Sequence, residues 1–177
     1  MSSPYARPKP HRFVVAPLTG WLGHAEPFAF EAEYRPAPGI ARFQIGTPSI
    51  LAMAALEAGL ATFDGVDMAA LEQKSRLLSD CFIALAAERC PELVLASPRG
   101  RRGSHLVFEH RHAYPLMQAL IERGVIGDYR EPNLVRFGFA PLYNGFADVW
   151  RAVEIIADLI DQRGFDAPRF RSRSRVT

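Results

Sequence analysis

The placement of proline and glycine constrains this chain more than any other feature. Pro4, Pro8, Pro10 and Pro17 punctuate residues 1–19. Residues 20–46 (GWLGHAEPFAFEAEYRPAPGIARFQIG) mix Gly, Pro and aromatic residues without helical periodicity. Proline fixes φ and lacks an N–H, so neither stretch suits a helix interior or a central strand. Residues 1–19 therefore read as an extended N-terminal arm and 20–46 as a long ordered loop. A loop of that length in a compact domain is functional or awaits a partner.

From residue 47 onward the apolar spacing takes over. Thr47 is placed to cap a first helix with Pro48 in its first turn. Ile50, Met53, Leu56, Leu60 and Phe63 then recur at spacings of three and four, giving one apolar face. A second helix is predicted from an Asp67 cap to Arg89, with Leu71, Leu78, Phe82 and Leu85 inward and Cys90-Pro91 as its stop. Residues 93–96 and 104–109 read as strands on either side of the basic turn 98–103 (PRGRRG). A third helix over 113–123 is closed by Gly124. Two more strands, 125–130 and 134–139, flank a turn at Glu131-Pro132-Asn133. Asn144 is placed to cap a fourth helix whose face is Val149, Val153, Ile156 and Ile160. The order αα-ββ-α-ββ-α predicts the α+β class: a small antiparallel or mixed sheet covered by helices.

Composition removes several classes. Hydrophobic residues at 49% and charged residues at 23% exclude a disordered chain, and 177 residues can bury a sizeable core without disulfides or metal. Cys81 and Cys90, about 13 Å apart along one helix, cannot bridge. Reduced thiols point to a cytoplasmic protein. The run Phe13–Leu18 is broken by Pro17 and is too short for a signal peptide. The stretch 50–63 carries Glu57 and Gly59 and is too short to span a bilayer, so no membrane partner is expected. Of 21 basic residues only Lys9 and Lys74 are lysines. Five arginines (163, 169, 171, 173 and 175) lie in 163–177, leaving 16 basic against 18 acidic residues before them. That segment reads as an Arg-rich disordered tail. The nearly neutral body argues against nucleic acid as a partner. No G-x-G-x-x-G, P-loop, G-x-S-x-G or metal-spaced Cys/His set is present, so no metal site is expected.

Several multi-residue strings remain: Gly20-Trp21-Leu22-Gly23-His24, Tyr34-Arg35-Pro36-Ala37-Pro38-Gly39-Ile40, Arg42-Phe43, Gly46-Thr47-Pro48, Lys74-Ser75, Gly103-Ser104-His105, residues 124–130 (GVIGDYR) and 140–144 (APLYN). In this order and with these gaps they resemble the C-terminal part of kynureninase, from about residue 18 to about residue 160. Kynureninase is a pyridoxal-phosphate enzyme of the aspartate-aminotransferase fold type. The resemblance implies a C-terminal domain of a fold-type I enzyme over 20–162, with loop 20–46 followed by a helical linker and small domain over 47–162. It implies pyridoxal 5'-phosphate as cofactor and L-kynurenine as substrate, hydrolysed to anthranilate and L-alanine. Leu22 and Ser49 depart from the aromatic and proline often found there, and Leu22 alters the wall of the site.

The resemblance also assigns roles, each beside a plainer one. Thr47 is a helix cap by its type and a cofactor-phosphate ligand by resemblance. Trp21 is a core aromatic by its type; its indole N–H is a cofactor-phosphate donor by resemblance. Arg136, between Val135 and Phe137, needs a partner or lies exposed, and a bidentate carboxylate contact suits it best; the family's arginine here holds the substrate α-carboxylate. His24 lines the site. His105, His110 and His112 belong to strand and turn packing, Asp128 and Arg130 form a structural pair, and Tyr143-Asn144 serves as a cap. The family's Schiff-base lysine lies in its N-terminal domain, and neither Lys9 nor Lys74 has that lysine's context. No residue of this chain is therefore assigned as catalytic, and covalent cofactor attachment is not expected in it. Arginine stays protonated and cannot substitute. Two readings follow: a kynureninase chain that is truncated and inactive alone, or a non-catalytic small domain or interaction module. In either case an unpartnered apolar loop predicts association, as a homodimer.

Overall fold

The computed structural model describes residues 16–172. They fall into two units, one ending at Asp64 and one beginning at Gly65.

The second unit is organised by its long helix. The Asp67 carboxylate accepts the N–H groups of Ala69 and Ala70, at 2.8 and 3.4 Å, and so starts helix α2 (Met68–Arg89). Helix α1 (Ile50–Ala61) belongs to the first unit. Leu78, Phe82, Ile83 and Ala86 line the buried side of α2; Leu71 and Leu85, expected inward, are half-buried. Strands β1 (Val94–Leu95), β2 (His105–Glu109), β3 (Asp128–Arg130) and β4 (Leu134–Gly138) form one antiparallel sheet in the order β1-β2-β4-β3. In a strand, alternate side chains point to opposite faces. Leu106 and Phe108 of β2 and Val135 and Phe137 of β4 are accordingly buried, while His105, Val107, Glu109, Leu134 and Arg136 take the other face. Helices α3 (Ala113–Glu122) and α4 (Phe146–Asp161) complete the core with Leu116, Met117 and Leu120, and with Val149, Val153, Ile156 and Ile160. Gly124, at φ 83°, closes α3 as expected.

Three local readings are corrected. Gly145, not Asn144, is the N-cap of α4; the Asn144 Oδ1 instead accepts the Ala140 N–H at 2.8 Å and ties off the turn before the helix. The third strand begins at Asp128, not at residue 125. At Gly127 a Cβ would stand 2.6 Å from the Arg136 carbonyl oxygen, so this residue is a close crossing of backbones. Residues 163–172 are not a disordered tail. A 3₁₀ turn (Gly164–Asp166) and the four-residue helix α5 (Pro168–Arg171) bury Phe165 and Phe170 in the core. The arginines there find acids: Arg169 pairs with Glu122 at 2.9 Å, and Arg163 and Arg171 pair with Asp166 at 2.7 and 3.1 Å. Two apolar anchors five residues apart outweigh the charge of the segment. Residues 173–177 and most of the expected N-terminal arm, including Lys9, lie outside the described residues.

The first unit contains two 3₁₀ turns (Trp21–Gly23 and Gly39–Phe43), a bridge between His24 and Pro36, and α1. Its N-cap is Ser49, whose hydroxyl accepts the Ala52 N–H at 3.4 Å, so Thr47 is not the cap. Both residues are good cap types, and the one nearer the helical run takes the place. The expected apolar residues of α1 are present, but Ile50, Leu51, Met53, Leu56 and Leu60 are all more than half exposed.

Candidate functional site

Within the first unit, two glycines determine where Trp21 stands. A Cβ on Gly20 would lie 1.9 Å from the Ile45 carbonyl oxygen, and one on Gly23 would lie 2.7 Å from that of Arg42. Only glycine lets the 42–45 segment lie this close against 20–23. The Tyr34 hydroxyl donates to the Gly23 carbonyl at 2.8 Å, and Ala37 N–H donates to the same carbonyl at 2.8 Å. This packing sets the Trp21 Nε1 4.0 Å from the position of a Cβ on Gly46, next to Thr47 in the chain. Among the described residues no acceptor meets the indole N–H, and the Thr47 side chain is exposed and released from capping. An unspent indole donor and an unspent hydroxyl are both groups that suit phosphate oxygens.

His24 stands differently. It is 8% exposed, its Nδ1 accepts the Glu26 N–H at 3.0 Å and its Nε2 donates to the Glu33 carbonyl at 3.2 Å. Both ring nitrogens are thus engaged in holding the 24–36 loop. Trp21 and His24, with Phe30, Glu31 and Tyr34, line an open cleft of about 500 Å³.

In the second unit Arg136 sits on the outer face of β4, its side chain 35% exposed. Its partner is Asp128, directly opposite across the β3–β4 ladder. Arg136 Nε and Nη2 both donate to Asp128 Oδ2, at 2.9 and 2.5 Å. Arg130 Nε donates to Asp128 Oδ1 at 3.2 Å, so the expected Asp128–Arg130 pair exists inside a larger set. The sequence reading missed the link to Arg136. Its signal was the short turn at residues 131–133, which brings 128 opposite 136.

Of the remaining candidates, His110 and His112 serve packing. His110 is buried beside Phe165 and His112, its Nδ1 accepts the His112 N–H at 3.2 Å, and Glu92 lies 3.6 Å from its Nε2. Burial, chiefly, holds its pKa below the ordinary 6.5. His105 is exposed on β2, and Lys74 lies within α2. Arg102, in the expected basic turn, has a side chain only 6% exposed and is bonded to Ser79 and Asp80. No group of His, Cys, Asp and Glu among the described residues could hold a metal ion, and no helix among them is long and apolar enough to cross a membrane.

Residues 71–156 match the family described as the kynureninase C-terminal domain. The chain is 51% identical to a kynureninase of Burkholderia mallei (strain SAVP1), over 96% of this chain and 42% of that protein. It is 49% identical to a kynureninase of Pseudomonas fluorescens, over 93% of this chain and 40% of that protein. It thus spans about two fifths of the length of the curated relatives it matches. Among solved structures, the cysteine desulfurase CsdA of Escherichia coli superposes with a TM-score of 0.61 at 23% identity, covering 73% of this chain and 34% of that one, which shows a shared fold. The small antiparallel sheet with its helices has the α+β fold of a fold-type I C-terminal domain, and the chain matches the C-terminal part of kynureninases.

Proposed function

We propose that this chain supplies the C-terminal part of a pyridoxal-phosphate-dependent kynureninase, which hydrolyses L-kynurenine to anthranilate and L-alanine. The observation that carries the proposal is Arg136. It lies within the matched domain, on the open face of the sheet, and is anchored by Asp128 while still a third exposed. A guanidinium so placed can fork two N–H groups onto an amino-acid carboxylate. When bound, the cofactor supplies the electron sink for cleavage of the carbon–carbon bond. The residues of this chain bind and orient: Trp21 Nε1 and the Thr47 hydroxyl donate to the phosphate, His24 shapes the wall beside Trp21, and Arg136 fixes the α-carboxylate. The Schiff-base lysine comes from polypeptide equivalent to the three fifths of the relatives that this chain does not match. The exposed apolar residues of α1 support assembly of the complete protein as a homodimer.

The test is complementation. This chain is co-expressed with the unmatched N-terminal part of the Pseudomonas fluorescens kynureninase, and anthranilate release from kynurenine is followed by fluorescence. Turnover is expected from the pair and not from this chain alone. In the pair, Arg136→Ala leaves a ligand carboxylate unpaired, which costs about 2–5 kcal/mol, or roughly thirty-fold to several-thousand-fold in kcat/KM. Thr47→Ala raises the dissociation constant for the cofactor and, at saturating cofactor, changes kynurenine kinetics far less. A complemented pair that binds cofactor but hydrolyses no kynurenine would refute the assignment.

A further inference from the structure

We propose that Asp128 is the positioning residue for Arg136. It holds one edge of the guanidinium so that the opposite fork is presented, already oriented, to a ligand carboxylate. The proposal rests on the kynureninase reading and names a residue of its carboxylate site.

An arginine carries five N–H donors in a rigid plane. Two of them, on Nε and Nη2, converge on Asp128 Oδ2. They occupy the side edge of the plane. The end fork, made by Nη1 and the second hydrogen of Nη2, meets no acceptor among the described residues. Asp128 is itself fixed: its Oδ1 accepts from Arg130, and its backbone lies directly opposite that of Arg136 in the ladder. Asp128, Arg130 and Arg136 share the outer face of the sheet because residues of one parity point the same way. Two guanidinium groups on one carboxylate give this set of three a net charge of one positive. A single carboxylate on the free fork of Arg136 completes the set. The arrangement prepays the ordering of a long side chain, which a substrate would otherwise have to meet on binding.

Positioning and simple electrostatics predict opposite signs. If Asp128 acted only through its charge, removing it would make the site more cationic and lower KM for an anionic substrate. If it orients Arg136, removing it frees the side chain and raises KM.

Two measurements decide. The first uses the 177-residue chain labelled with ¹⁵N-arginine, the Arg136 Nε–H signal being assigned by its loss in Arg136→Lys. Its exchange with solvent should be slow in the wild type and at least tenfold faster in Asp128→Ala. Asp128→Asn keeps the shape and an acceptor oxygen and should retain part of the protection. The second uses the complemented enzyme. Asp128→Ala should raise KM for L-kynurenine about tenfold with kcat within about threefold, and Asp128→Asn should lie between, about threefold in KM. Far-UV circular dichroism checks that both variants fold, and the milder Asn variant decides if the alanine variant does not. A KM that falls or stays level, or an Nε–H exchange rate indifferent to Asp128, overturns the inference. A wild-type pair that binds cofactor but shows no turnover overturns the kynureninase reading instead, and the exchange measurement still decides whether Asp128 holds Arg136.

Discussion

Removing one ring should unmake the domain that carries Arg136. Phe82, 1% exposed on α2, stands among three further phenylalanines. Its ring centroid is 5.6 Å from Phe108, 5.1 Å from Phe137 and 5.6 Å from Phe139. Those three rings come from β2, from β4 and from the residue just after β4, so Phe82 joins the helix to the centre of the sheet. Burying a phenylalanine and filling its cavity are together worth about 3–5 kcal/mol in Phe→Ala substitutions. Each aromatic pair adds about 0.5–1.5 kcal/mol beyond area. Three such pairs, with a rigid ladder on one side that cannot collapse into the void, place Phe82→Ala near the top of that range, at about 4–5 kcal/mol. Phe82→Leu keeps most of the volume and should cost about 1–2 kcal/mol. Native-state amide exchange at β2 and β4 reads this unit directly, since the slowest amides report its global opening. A loss under about 1.5 kcal/mol for Phe82→Ala, with native exchange patterns elsewhere, would mean that α2 is not seated on the sheet through this ring.

Two further outcomes follow from buried titratable groups. Burial keeps His110 neutral in the folded protein below the pH at which an unfolded histidine, at 6.5, takes up a proton. Its contribution is therefore complete above about pH 6.5 and is lost as pH falls through that value towards the lowered folded one; the melting temperature should drop between pH 7.5 and 5.5, and His110→Gln should flatten that drop, an unchanged slope counting against the assignment. Burial also pushes the Cys90 thiol up to about 11 from 9.0, and its S–H donates to the Val153 carbonyl at 3.9 Å. At pH 8 the thiolate fraction is then about a hundredfold smaller than at an ordinary site, so a maleimide should label half-buried Cys81 first, and equal labelling of both by peptide mass mapping would contradict the burial of Cys90.

Much of the fold is legible in the sequence because its signals are local. Asp67 and Cys90-Pro91 bracket α2, and the alternation of Leu106 and Phe108, and of Val135 and Phe137, marks two strands and their inner faces. What escapes is what depends on a distant neighbour. Val125 and Ile126 have strand character, but the backbone crossing at Gly127 delays the strand to Asp128. Apolar spacing identifies α1 as a helix, yet spacing cannot name what covers a face, and here its large apolar side chains stand exposed. In residues 163–172 the arginines dominate any composition count, while Phe165 and Phe170 decide the structure.

The candidate site divides along the same line. Residue type and motif single out Trp21, Thr47 and Arg136, but their working state comes from contacts that no motif states. Thr47 is available because Ser49 caps α1, and Trp21 stands where it does because Gly20 and Gly23 admit the 42–45 backbone. For Arg136 the deciding relation is parity. Val135 and Phe137 must point into the core, so Arg136 must point out, and the β3–β4 ladder then leaves Asp128 as the residue opposite it. A one-residue slip of β3 against β4 would set Tyr129 opposite Arg136 and turn Asp128 to the other face. The buried ring faces of the core resist that slip, and so the same hydrophobic pattern that builds the sheet also fixes the acid beside the arginine.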